Sequence, residues 1–167
     1  MGNIINIIPS GVDNLPDMYF EGKHHEWTLR FNLGDILDYV AAQSVTENQR
    51  DAEKPIEAVF APKDRDLVLV YLRSAVSNVS MILARRMPNP AEFGGDTITF
   101  RLEVGDNHDE SMLQVLHLRI MDYLCQYAYL KWTGKDVQSL NKMEDAIRSA
   151  MHYRKHGILR RVQNLNI

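Results

Sequence analysis

WTLRFNLGD, residues 27–35, and ITFRLEVGD, residues 98–106, decide the fold, because the chain writes nearly the same corner twice. In the first stretch Trp27, Leu29, Phe31 and Leu33 alternate with Thr28, Arg30 and Asn32. In the second, Ile98, Phe100, Leu102 and Val104 alternate with Thr99, Arg101 and Glu103. A period of two is that of a strand with one face buried. Gly34-Asp35 ends the first strand, and Asp35 is placed to cap a following helix.

Working outward, the first strand leads into a helix that runs to about Val45 with Ile36, Leu37 and Val40 inward. After the polar connection TENQRDAEKP a longer helix opens at Pro62, where the missing N–H of proline is harmless. Its inner stripe is Val68, Leu72, Ala75, Val76, Val79, Leu83 and Met87. PNPAEFGG, with two prolines and two glycines, reads as a loop before the second strand. A third helix carries Leu113, Leu116, Ile120, Leu124 and Tyr127 to Trp132, with Gly134 placed to stop it. A fourth begins near Val137 with Leu140, Met143, Ile147 and Met151 on one face, and ends before Gly157.

Further pairs follow the opening one in the same order. ILDYV at residues 36–40 has a counterpart in IMDYL at 120–124, and LRSAV at 72–76 has one in IRSAM at 147–151. These matches are consistent with a duplicated strand-helix-helix unit that pairs its strands about a pseudo-two-fold axis and asks for a longer first helix in the second half. Short matches also arise by composition, since amphipathic helices share letters. The expected fold is mainly α with a small β element, a four-helix core carrying a short two-stranded antiparallel ribbon. Residues 1–25 form an N-terminal arm, 26–157 one domain with half-repeats 26–88 and 97–162, and 158–167 an extended tail.

Apolar residues make up 45% and charged residues 25% of the 167, a globular balance with no apolar run that argues for a membrane span. No signal peptide is expected at the apolar start, and a single cysteine, Cys125, suits a reducing interior. The net charge of −3 is uneven: five basic residues and no acid follow Asp145, so the rest carries −8. A basic end of this kind either meets something acidic or complements a helix C-terminus.

No phosphate loop, dinucleotide fingerprint, nucleophile elbow or paired CxxC is present. His24-His25-Glu26 lacks the second histidine of an HExxH zinc motif, and His152 with His156 would supply only two ligands. Asp106, Asp109 and Glu110 could hold a cation, but acids at a helix start also suit the dipole. Cys125 is two helical turns from His117, too far for a nucleophile and its base. Tyr123, Tyr127, Tyr129 and Trp132 read as core or subunit contact. No catalytic, cofactor-binding or metal-binding residue is therefore expected. The termini carry the expected contacts: Ile4, Ile5, Ile7 and Ile8 at one end, and Val162, Leu165 and Ile167 at the other. The tail after Gly157 could extend a neighbour's sheet edge, with Arg154, Lys155, Arg160 and Arg161 steering it onto an acidic surface, or facing DNA or solvent.

The succession WTLRFNLGDILDYVAAQS, a long helix ending near ARRMP, then IMDYLCQYAYLKW and HYRKHGILRRV resembles small virion proteins of tailed bacteriophages and prophages of gut bacteria, specifically the head-tail connector or neck adaptor class. The resemblance spans residues 26–162 as a pattern. It implies a largely helical homo-oligomer that forms a ring on the portal and adjoins tail or neck proteins. DNA would pass through its lumen without sequence-specific binding and without a membrane. The location implied is the virion, after synthesis in the host cytoplasm. The duplication is not a feature of the simplest members. The alternative class is a cytoplasmic helical regulatory or binding protein acting through protein contacts.

Overall fold

The computed structural model describes residues 25–50, 59–105 and 111–151. Strand β1 (His25–Asn32) runs directly into helix α1 (Leu33–Arg50), and helix α2 (Arg65–Leu83) is extended by 3-10 turns at Pro62–Asp64 and Ala84–Arg86. Strands β2 (Glu92–Gly94) and β3 (Thr97–Val104) follow, then helix α3 (Ser111–Trp132), a 3-10 turn at Gln138–Leu140 and helix α4 (Asn141–Met151).

The two alternating stretches pair with each other, antiparallel, with Trp27 opposite Leu102, Leu29 opposite Phe100 and Phe31 opposite Ile98. This register puts every large apolar side chain of both strands on one buried face, whereas a slip of one residue would expose them all. On the other face Arg101 bridges Glu26 at 3.8 Å and Glu92 at 3.5 Å. Those pairs are half-exposed and contribute little.

The expected two-stranded ribbon is a three-stranded sheet of order β1-β3-β2. The third strand, Glu92–Gly94, comes from the stretch PNPAEFGG, read above as a loop. All three of its residues are exposed, so it carries no alternation to betray it. What makes the strand is a two-residue hairpin turn at Gly95-Asp96, where Gly95 takes φ 58°, the conformation such turns require and side chains resist. The turn also holds the start of α1, because the Leu33 N–H donates to the Asp96 carbonyl at 2.8 Å.

The helix caps differ from expectation at one end and agree at another. Asp35 lies inside the first turn of α1. The cap is Asn32, whose Oδ1 accepts from the Gly34 N–H at 2.7 Å, so the last strand residue closes the helix. At the other corner Gly134 does stop α3, with φ 71° and the Lys135 N–H reaching back to the Leu130 carbonyl at 2.8 Å.

The two halves match in the sheet and diverge in the helices. Leu29 and Phe100, equivalent in the repeat, face each other at the sheet centre, as a local two-fold requires. Ile36 and Ile120 are both fully buried, as are Leu72 and Ile147. Yet α3 packs against α1, α2 and α4, while no comparable packing joins α1 to α2 or to α4. The reason is circumference: α1 buries one narrow stripe, Leu33, Ile36, Val40 and Ser44, whereas α3 buries Tyr123, Leu124, Cys125, Tyr127, Ala128 and Tyr129 nearly all the way round.

Candidate functional site

The side chains that could carry chemistry are placed as packing elements. Cys125 is buried, and burial first, with Asp122 and Asp35 adding, pushes its thiol up to about 12. A thiol so protonated is a poor nucleophile. His117 stacks on Phe31 with ring centroids 4.4 Å apart and donates from Nε2 to the Arg30 carbonyl at 2.8 Å. That bond ties α3 to β1.

A polar chain crosses the interior from α2 to α4. Asn78 Nδ2 donates to the Tyr123 hydroxyl at 3.1 Å, and the hydroxyl donates to Glu144 Oε1 at 2.9 Å. Burial raises the Tyr123 phenol well above its ordinary range, so it stays a donor. The chain opens on a groove of about 280 Å³ lined by Asn78, Met81, Ile82, Glu144 and Arg148. Tyr123→Phe keeps the ring and deletes the link. It is expected to cost about 1–3 kcal/mol, read as a lower urea midpoint at unchanged slope. A change under roughly 0.5 kcal/mol, the size of an ordinary surface substitution, would mean that the link carries no stability.

The feature that departs most from an ordinary surface is the outer side of α2. Its inner stripe, Val68, Leu72, Ala75, Val76, Val79 and Leu83, lies in the core as expected. On the solvent side Leu67 is 45%, Val70 58% and Met81 70% exposed. The stretch Pro62–Arg86 is long and apolar enough to cross a membrane by length and composition, and only 33% of its most apolar window is buried. Elsewhere on the helices the exposed large apolar residues stand singly, Val45 on α1 and Leu118 on α3, whereas Leu67, Val70 and Met81 share one side of α2. Single residues of that kind are normal, whereas several on one side of one helix are a candidate contact.

The residues singled out from the sequence as contacts, Ile4, Ile5, Ile7, Ile8, Arg154, Lys155, Arg160, Arg161, Val162, Leu165 and Ile167, lie outside the described residues. So do His24, His152, His156 and the acids at Asp106, Asp109 and Glu110. Among the described residues no three His, Cys, Asp or Glu side chains gather where a metal could sit. The signal in the sequence for the outer face of α2 is that, once the inner stripe is assigned, Leu67, Val70 and Met81 are left over on the other side among Arg65, Asp66, Arg73, Ser74 and Ser77. No known protein family, no curated protein and no solved structure matches this chain.

Proposed function

We propose that this chain is a structural assembly protein acting through protein contacts, and that it serves as a ring-forming head-tail connector or neck adaptor between portal and tail of a tailed-phage virion. What supports the reading is the outer face of α2, where Leu67, Val70 and Met81 lie on one side of the helix and are left uncovered by their own domain. A protein that works by being covered by its neighbours needs such a face, and loses nothing by placing its polar groups in structural roles. The sequence pattern over residues 26–162 supplies the virion context. The same face would serve the alternative, a helical regulatory protein, which more commonly stops at a dimer. Native mass and negative-stain images of the full chain, alone and with its portal protein, separate the two. A closed ring of many copies is the expected result. A species no larger than a dimer under both conditions would overturn the connector reading.

A further inference from the structure

The outer face of α2 has a period. Leu67, Val70, Ser74, Ser77, Met81 and Ala84 are all exposed and are spaced by three and four residues in strict alternation. That is the spacing of a helix-pairing seam, with apolar Leu67, Val70, Met81 and Ala84 flanking two small serines at its centre. From this we infer that α2 is a two-fold contact surface whose occupant is α2 of a second copy, running antiparallel.

Size and charge both select that occupant and direction. If the two-fold passes midway between Ser74 and Ser77, Ser74 of each copy meets Ser77 of the other, and these small residues let the axes approach to roughly 8 Å. Val70 then lies at the level of Met81, and Leu67 at the level of Ala84, so each wide residue has an apolar neighbour and no two bulky ends collide. Beside the seam, Asp64, Tyr71, Asn78 and Arg85 recur every seven residues in one row, the charged ends lying in the 3-10 turns that extend the helix and Asp64 also accepting the Ala61 N–H at 2.9 Å. A two-fold brings this row against the same row reversed, so Asp64 of each copy falls beside Arg85 of the other, and Tyr71 beside Asn78. The row on the opposite flank, Asp66, Arg73 and Ser80, meets no like charge at the same level. Arg73 is turned over the ring of Phe93 at 5.3 Å. A parallel pair would instead set the Asp64 row against Asp66, Arg73 and Ser80 of the other copy, placing Arg85 beside Ser80 and Asp66 beside Tyr71, with no acid–base pair to favour it. The acid–base pairs are rim contacts and fix direction more than affinity.

Such a contact is isologous and closes on itself. By itself it makes dimers, so a connector built from this chain is a ring of dimers closed by a second, different surface. The inference deepens the assembly reading but is tested apart from it: a dimer without a ring keeps the inference and removes the connector, and a ring indifferent to α2 does the reverse.

The test uses the full chain. Val70→Glu with Met81→Glu should leave the helical circular dichroism unchanged, since both sites are exposed, and weaken self-association by at least about 30-fold in sedimentation equilibrium. Val70→Cys and Met81→Cys check direction without charge. In the antiparallel pair each residue lies about 16 Å along the axis from its own copy, so the single variants should stay uncrosslinked under mild oxidation. The double variant should give covalent dimers. Single variants that crosslink as well as the double, or a wild-type chain that remains monomeric, would overturn the inference. Deleting residues 1–24 provides a further arm: a dimer that appears only after the deletion means that the arm with Ile4–Ile8 is the occupant. Binding of a monomer to phospholipid vesicles, abolished by Val70→Glu, means that a lipid surface is.

Discussion

Phe100→Ala is expected to lower the unfolding free energy by about 3–5 kcal/mol, enough to leave a domain of ordinary stability partly unfolded at room temperature. Phe100 is fully buried at the middle of the central strand β3, opposite Leu29, with its ring edge-on to Phe31 at 5.8 Å and 86°. Both halves of the fold meet at that point. Truncation leaves a void that Leu29 and Phe31 of β1 cannot close without breaking the register, so the cavity cost adds to the lost burial. Urea unfolding followed by circular dichroism measures it, with Arg101→Ala on the exposed face of the same strand as the control, expected to cost under about 1 kcal/mol. Equal effects at positions 100 and 101 would mean that the sheet's inner face does not hold the core.

The second large effect is on pH. Cys125 and Tyr123 both have folded-state pKa values raised by burial. In the unfolded chain the thiol ionises near its ordinary value of 9.0 and the phenol near 10.0, while the folded protein keeps both protons to higher pH. Above pH 9 the unfolded state therefore binds fewer protons than the folded one, and stability falls as pH rises. The stability that these groups contribute is fully present below pH 9. It should decline between pH 9 and 10 through Cys125 and more steeply above 10 as Tyr123 joins, each group adding a slope of at most about 1.4 kcal/mol per unit. Urea midpoints from pH 7 to 11 test this. Cys125→Ala should flatten the decline between pH 9 and 10 and leave the steeper part above 10. A stability that is level to pH 11 would mean that neither group is sealed from water.

The strand pair was legible residue by residue because strand periodicity is local. Trp27, Leu29 and Phe31 have to share a face with Ile98, Phe100 and Leu102 if either set is to be buried, and that requirement names the partner and limits the register to steps of two, while the exact register is set by the folded domain. The helix limits at Pro62 and Gly134 were legible for a similar reason, since one residue's backbone decides each. The inner stripe of α2 followed from its 3.6-residue period.

Where the deciding contact lies outside the segment itself, the residues alone were silent. Glu92–Gly94 becomes a strand because β3 offers it an edge, and nothing in three exposed residues announces that. Asn32 rather than Asp35 caps α1 because the helix begins one residue after the strand, under the Asp96 turn. The likeness of the two halves gave α1 and α3 equal rank, but only packing made α3 the centre, since its apolar circumference can serve three neighbours and that of α1 only one. The same distinction governs the outer face of α2. Its letters were apolar from the start, but whether an apolar position is core or contact depends on which other elements reach it, and that is settled by the free energy of the whole packed domain rather than by the helix that carries it.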